Sequence, residues 1–228
     1  MAREQHVFSA ENNEIPRGAL TFEGFHYWVE SAAFPETGRI DFLDGQVEVE
    51  LSPEELFSHG LVKGAIHAGL HELLAATEAG EVFTDSARYT SRAAGLSAEP
   101  DVIVVLDESL QAGRVRYLSA GGRPGRFSEI EGAADLVVEV VSDSSVEKDT
   151  RRLPRLYARA GVPELWIVDA RGSDLQFQAF SLRGEDYVRV EPDADEWIRS
   201  ERLGSLFRLT RRRTPRGTWR YSLERRRG

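Results

Sequence analysis

The sequence predicts an α/β protein built around a mixed central β-sheet that is flanked by helices. Short β-branched and almost wholly apolar runs, typical of buried strands, recur at 101–105, 135–141 and 165–169. Residues that start and stop helices lie between these runs. No internal repeat is visible, so a repeat array is excluded.

The first half of the chain predicts one hairpin between two helices. Residues 1–19 form a polar lead that we expect to be flexible, and Thr21 opens a short helix. Residues 39–51 read as a hairpin, because Asp44-Gly45 is a typical type I′ turn. The second helix is expected over 52–77, with Ser52 as the N-cap, proline next and glutamates in the first turn.

The second half continues with strands and one more helix. Residues 82–90 predict one or two strands, whereas 107–133 are rich in glycine and charge and predict a loop with a minor strand near 114–118.

The spacing of Ser144 and Glu147 is that of a capping box, which starts a helix that Gly161 ends. Pro154 is expected to bend that helix. A hairpin over 175–190 follows the strand at 165–169.

Composition limits the function classes. The chain has 228 residues, a net charge of −9 and no cysteine, so disulfides, thiolate zinc sites and a cysteine nucleophile are excluded. No apolar run approaches membrane-spanning length, and the first residues lack a secretory pattern. We therefore expect a cytoplasmic protein without a membrane segment.

Positive charge is concentrated at the C-terminus. Residues 211–228 hold eight arginines and one glutamate, a net +7, which leaves −16 for the rest of the chain. We expect a domain at 20–210 followed by an Arg-rich tail at 211–228. Its Thr218-Trp-Arg-Tyr221 stretch could bind a nucleic-acid backbone and stack on bases, or form a solvated strand edge with a frayed end.

Two of the predicted strands carry one acid each, Asp101 and Glu139. Alternation puts Glu139 on the same face as Val137 and Val141, where an uncompensated carboxylate is costly. If the strands are neighbours, both acids can share a hard cation such as Mg²⁺. The alternative is that each acid marks a strand end and faces water.

Other chemistry is less well supported. His67 and His71 have the i, i+4 spacing of a zinc site, but no third ligand is evident and a polar helix face explains them. The sequence lacks a nucleophile elbow, a phosphate-binding loop and a dinucleotide fingerprint, which disfavours serine hydrolases, NTPases and dinucleotide-dependent enzymes.

A family resemblance rests on four features. They are Pro100-Asp101, Glu139 in an apolar strand, the helix end and strand at 156–166 (LYARAGVPELW), and the stretch at 41–59 with DFLDGQ, SPE and a histidine. Over about 20–190 the chain resembles the PD-(D/E)xK nuclease superfamily. Within it, the chain is similar to the large bacterial family of restriction endonucleases of the Uma type.

The resemblance implies a restriction-endonuclease-like core with Asp101 and Glu139 as metal-binding acids. Asp41 stands where the family usually has a glutamate, and His59 where it has a histidine on the following helix. His59 could equally belong to the polar face of that helix.

The superfamily lysine two residues after the acid is Val141 here. Related members supply a basic residue from the next helix, so Lys148 is the expected substitute and Arg152 the runner-up, with Asp149 orienting one of them. Lys148 could instead be a solvated charge. A helix N-terminus disfavours a cation and could lower the pKa of that lysine.

These features predict an endonuclease that hydrolyses DNA with Mg²⁺ or Mn²⁺, as a homodimer because cutting two strands needs two sites. The rival prediction is a catalytically silent nuclease-fold protein that binds nucleic acid or a protein partner; the acidic body and the missing lysine favour it. A metal-dependent hydrolase of small phosphorylated compounds is a third possibility.

Overall fold

The computed structural model describes residues 15–35, 37–84, 86–119 and 125–227. Most of the lead predicted at 1–19 therefore lies outside the described residues. Its last part contains a 3₁₀ turn, Arg17–Leu20, which buries Ala19.

Four α-helices and a set of mostly short strands make up the described fold. The helices are α1 (Phe22–Val29), α2 (Leu61–Thr77), α3 (Asp107–Gln111) and α4 (Leu153–Ala160). The strands are β1 (Arg39–Leu43), β2 (Gln46–Glu50), β3 (Gly80–Thr84), β4 (Arg88–Ser91), β5 (Leu96–Ala98), β6 (Val102–Leu106), β7 (Val115–Ser119), β8 (Phe127–Gly132), β9 (Leu136–Val140), β10 (Glu164–Asp169), β11 (Gln176–Arg183), β12 (Asp186–Val190), β13 (Ile198–Ser200), β14 (Ser205–Arg213) and β15 (Trp219–Arg227).

Within the described residues the strands form three sheets rather than one. The central sheet has the order β12-β11-β10-β9-β6-β3 and is mixed, because β9 and β10 are parallel and its other pairs are antiparallel. A second six-stranded sheet runs β2-β1-β5-β4-β8-β7, and β13-β14-β15 form the third. The predicted strands at 101–105, 135–141 and 165–169 all lie in the central sheet.

The central sheet is buried on both faces. Val104 and Val138 pack with α2 and the third sheet on one face. Ile103 and Val137 pack with α4 and the second sheet on the other. Burial on both faces explains why these strands read as continuous apolar runs. Helix α1 covers the far side of the second sheet, through Phe25 among others.

Several local predictions are confirmed. Thr21 caps α1 by accepting from the Gly24 N–H at 3.2 Å. Asp44 and Gly45 both have positive φ, as a type I′ hairpin turn requires. Gly161 ends α4 in the left-handed conformation.

Both helix starts predicted near the site differ from the structure. Residues 52–55 are not helical, and a π turn at Leu56–Gly60 comes before α2, because the Glu55 carboxylate accepts the Phe57 N–H at 2.9 Å and also that of Ser58. Ser144 bonds Glu50 instead of forming a capping box.

Each of these two helices starts with a π-helical turn, Leu56–Gly60 before α2 and Lys148–Arg152 before α4. The Gly60 N–H donates to the Glu55 carbonyl at 3.0 Å, five residues back.

Two segments are more ordered than the sequence predicts. The stretch at 107–133 contains α3, β7 and β8, apart from the undescribed residues 120–124. The segment predicted as an Arg-rich tail from 211 onward forms the end of β14 and all of β15. Strand β15 packs on α2, where Leu223 lies against Gly69. Its alternate apolar residues supply the buried face that holds it there.

Candidate active site

Asp101 and Glu139 lie side by side on the central sheet. Strands β6 and β9 are antiparallel with Val102 opposite Val138, and continuing this register places Asp101 opposite Glu139. Opposed residues point to the same face, which here is the face toward the second sheet. Both side chains are 1% exposed. The alternative that each acid faces water is therefore wrong.

Asp101 is an ionised carboxylate with several donors. Arg39 Nη2 donates to Oδ1 at 3.0 Å, and the Val140 N–H donates to Oδ2 at 2.7 Å. His59 Nε2 lies 3.4 Å from Oδ2. Burial opposes the charge, but the His59 bond, the Arg39 charge and the Val140 N–H together hold the pKa of Asp101 well below its usual range.

Glu139 has the opposite electrostatics. Its Oε1 accepts the hydroxyl of Tyr157, which α4 supplies. Burial raises the pKa of Glu139 well above its usual value, and the charges of Asp101 and Asp149 raise it further. The positive charge near Glu139 is therefore too small to keep this carboxyl group ionised at its usual pKa.

Asp41 and Lys148 form a buried ion pair at the same place. Asp41 lies on the β1 face that also carries Leu43, which packs against the central sheet. Lys148 Nζ lies 3.3 Å from Asp41 Oδ2 and 3.6 Å from Glu50 Oε2. The Glu99 N–H donates to the other Asp41 oxygen at 3.2 Å.

The expectation of a lowered pKa for Lys148 is wrong. Burial is the largest effect and disfavours its charged form, as does Arg39, but the carboxyl groups of Asp41, Asp149 and Glu139 together raise its pKa. Lys148 therefore acts as a fixed cation.

Asp149 follows Lys148 and is also buried. Its Oδ2 accepts the Ser145 hydroxyl, while Oδ1 has no hydrogen-bond partner among the described residues. Burial raises its pKa to about 6, against the opposing effects of Ser145 and Lys148. No direct bond from Asp149 to Lys148 or Arg152 is found among the described side chains, so the structure gives it no orienting contact to either.

His59 lies in the π turn before α2 and joins two acids. Its Nδ1 lies 2.5 Å from Glu54 Oε1, and Lys63 Nζ reaches the same oxygen at 2.6 Å. Burial opposes protonation, but the bonds to Asp101 and Glu54 raise the His59 pKa. The structure thus brings His59 to the acids.

Arg152 points elsewhere. Its guanidinium bonds Glu48 and lies 3.3 Å from Gln46 Oε1, both on β2. Lys148 is the basic residue that the structure places beside Asp41, one helical turn earlier.

Arg39 is the site residue that sequence reasoning missed. It precedes Asp41 by two residues, so it shares the inward face of β1. Burial opposes its charge, yet Asp101, Asp41 and Glu139 all raise its pKa. The only signal in the sequence was this i, i+2 alternation of Arg39 with Asp41.

A cavity of about 230 Å³ opens onto this cluster. Arg39, Asp41, Lys148, Glu50 and Ser144 are among the residues that line it. The two cations are thus accompanied by three carboxylates in the lining, which includes Glu48, and neither Asp101 nor Glu139 lines the cavity.

The donor set fits a hard divalent cation. Asp101 and Glu139 supply carboxylate oxygens, and Asp149 Oδ1 lies buried without a partner. No group of three or more His, Cys, Asp or Glu side chains arranged to hold a metal is found in the described part of the chain. One or two carboxylates suffice for Mg²⁺, which keeps several waters and takes substrate phosphate as a ligand.

The histidine pair considered as a zinc site does not form one among the described residues. His67 and His71 stack with ring centroids 5.7 Å apart, and no third ligand joins them in the described structure. No described helix is both long and apolar enough to span a membrane.

Comparisons with known proteins give a family and a similar fold. The model of the family Uma2, described as "Putative restriction endonuclease", matches residues 22–212. The fold is similar to a crystal structure described as "a putative nuclease belonging to DUF820" from Anabaena variabilis ATCC 29413. That structure has a TM-score of 0.59 and 15% identity over 80% of this chain and 90% of the other. No curated protein sequence matches the chain.

Proposed function

The chain belongs to the Uma2 family, described as "Putative restriction endonuclease", and we propose that it is a metal-dependent endonuclease that hydrolyses phosphodiester bonds in DNA. The observation that carries this proposal is the pairing of Asp101 with Glu139 on one sheet face, beside Lys148. Glu139 lacks compensating charge, and a divalent cation is the partner that carboxylate oxygens prefer.

In this proposal Asp101 and Glu139 hold Mg²⁺ or Mn²⁺. A bound ion supplies a polarised phosphate oxygen and a water of lowered pKa. Tyr157 fixes Glu139 through its hydroxyl, and His59 and the Val140 N–H fix Asp101.

Lys148 and Arg39 supply the positive charge for the phosphate. Lys148 stays protonated because Asp41, Asp149 and Glu139 together raise its pKa, so it stabilises charge that develops on the transferred phosphoryl oxygens. Arg39 balances Asp101 in the free protein and lines the cavity together with Lys148, so it would be the second cation available to a bound phosphate. Arg152 bonds Glu48 on β2 instead and is not assigned a phosphate contact.

A catalytically silent DNA-binding protein is the second candidate. It is favoured by the engagement of both Asp101 oxygens by protein donors and by the superfamily lysine position, which holds Val141. For the endonuclease we propose a homodimer, whose mass light scattering would measure.

Nicking of supercoiled plasmid tests the proposal. The purified protein should nick plasmid with Mg²⁺ or Mn²⁺ and stop with EDTA. Glu139→Gln should greatly reduce or abolish nicking, because a neutral amide oxygen is a weaker ligand for a hard cation than a carboxylate. Glu185→Gln, the same change at an exposed turn, should leave nicking intact.

Two results would count against it. Nicking by Glu139→Gln at the wild-type rate would contradict the assignment of the site. A wild-type protein that binds plasmid but nicks with neither metal would favour the silent candidate.

A further inference from the structure

The turn between β14 and β15 carries a dense group of arginines. Five lie within 211–223, a stretch that contains no acidic residue. We call them the hairpin-tip arginines: Arg211, Arg212, Arg213, Arg216 and Arg220. The family match ends at residue 212, so β15 lies beyond it.

The hairpin tip lies at the same edge of the central sheet as the candidate active site. Arg211 donates to the carbonyls of Ala170 at 3.3 Å and Gly172 at 3.2 Å, directly after β10 ends. Strand β9 ends beside β10 at this edge, where the Val141 N–H donates to the Val168 carbonyl at 2.8 Å. Strand β15 also packs on the π turn that holds His59.

Part of the tip is held rigid by Trp219. The guanidinium carbons of Arg211 and Arg213 lie 4.3 and 4.8 Å from its ring centroid. Arg213 also donates to the Gly217 carbonyl at 3.2 Å. These cation–π contacts position two charges at little further entropic cost on binding.

The outer face of the hairpin tip carries two arginines whose positive charges are not balanced by carboxylates. Arg212 and Arg220 lie directly opposite each other on β14 and β15, and both are exposed. Neither has a carboxylate partner among the described residues. Like charges at opposed positions are destabilising, and nothing in the described fold offsets the cost.

We propose that the hairpin-tip arginines form a second contact for the phosphate backbone of duplex DNA, beside the candidate active site. The proposal rests on DNA being the substrate. A chain of net charge −9, with its acids clustered at the site, repels DNA, so local cations are needed to draw the backbone in.

DNA binding without metal tests the proposal. The full-length protein is titrated, in EDTA and at several salt concentrations, onto a fluorescent duplex, and anisotropy is measured. Arg212→Ala/Arg220→Ala should bind roughly tenfold more weakly than wild type. Its log–log salt slope should fall by about 0.9 for each phosphate that the variant no longer neutralises.

The matched control is Arg225→Ala/Arg227→Ala. It removes the same charge from exposed positions on the same strand, about 17 and 24 Å along the strand from Arg220. It should change affinity much less. Neither double variant should lower the melting temperature, and removal of the repelling Arg212–Arg220 pair should if anything raise it. Arg216→Ala in the exposed turn gives a third, independent reading.

Several outcomes would overturn the proposal. Equal reductions in affinity in the two double variants would indicate nonspecific charge, and unchanged binding in the tip variant would show that the tip does not touch the backbone. Tip-dependent binding of polyglutamate but not of duplex would indicate an acidic protein partner.

Failure of this proposal is distinguishable from failure of the proposed function. Wild-type nicking with unchanged binding by the tip variant refutes the backbone contact alone. If DNA binding depends on the hairpin-tip arginines but the wild-type protein does not nick plasmid, the proposed endonuclease activity alone is refuted.

Discussion

The sharpest prediction concerns the proton on Glu139. Without metal, this buried carboxyl group should be protonated in the folded protein at pH values where it ionises in the unfolded chain, because burial and two neighbouring acids raise its pKa. Its contribution to stability is therefore full below about pH 4.3, the unfolded value, and is lost as pH rises through the folded pKa. Glu139→Gln should remove this loss.

The magnitude follows from a difference of one proton. While the folded state holds one more proton than the unfolded state, the free energy of unfolding falls by about 1.4 kcal/mol per pH unit. For a chain of this size, 1 kcal/mol shifts the melting temperature by about 2–4 °C. In EDTA, wild type should therefore lose about 3–6 °C per pH unit relative to Glu139→Gln within that window.

Neighbouring groups contribute to both proteins. His59, with a raised pKa, stabilises below about pH 6.5 and loses this effect as pH rises. Asp149 loses its contribution between about pH 3.8 and about 6. Asp101, with a lowered pKa, is ionised in both states above about pH 5 and adds no slope there. The difference between the two proteins therefore reports mainly on Glu139.

Thermal denaturation followed by circular dichroism from about pH 5 to 8, with and without Mn²⁺, measures this difference. Mn²⁺ should stabilise wild type most at high pH, where it need not displace a proton, and should have less effect on Glu139→Gln. Parallel pH curves for the two metal-free proteins would refute the reasoning, because Glu139 would then already be ionised in the fold.

Two further predictions use matched pairs of variants. Lys148→Ala should reduce nicking by roughly 10²-fold with the fold intact by circular dichroism, whereas Arg152→Ala should do less; the reverse order would place the cation one helical turn later. Gly69→Ala should cost about 1–3 kcal/mol in urea denaturation, because its Cβ would lie 2.9 Å from that of Leu223. Gly64→Ala has open space and should stabilise α2 by up to about 1 kcal/mol, so equal effects of the two glycine changes would show that β15 does not pack there.

The central strands could be predicted from the sequence because they are buried on both faces. Continuous β-branched runs made Asp101 and Glu139 conspicuous, and alternation correctly assigned Glu139 to the face of Val137 and Val141. The prediction that Asp101 and Glu139 lie next to each other depended on the assumption that β6 and β9 pair. The two strands do pair.

The second sheet could not be predicted in the same way. Its order depends on pairings between strands distant in sequence, such as β1 with β5 and β4 with β8. Arg39 was missed for this reason: charged residues that alternate on a hairpin are typical of a solvated face. Only the stacking of the second sheet on the central one brings Arg39 to Asp101, which lies 62 residues later.

The hairpin of β14 and β15 was predicted only in part: a strand edge near 218–221 was one of two alternatives, and the many arginines favoured a tail from 211 onward. Arginines suggested a tail, yet Phe207 and Leu209 on β14 and Tyr221 on β15 alternate with polar residues and bury one face. Pattern was the better guide here.

The two π-helical turns give the protein a means of adjusting its chemistry separately from its packing. His59 lies in one and Lys148 in the other, and each turn precedes a helix fixed in a core by its own apolar side chains. A π turn holds one residue more than the α-helical pitch requires, and one residue corresponds to a rotation of about 100°. If a single residue were deleted from either turn, α2 and α4 would keep their packing in the core. A side chain other than His59 or Lys148 would then point at Asp101 or Asp41. The number of residues in each π turn therefore determines which side chain faces the acids.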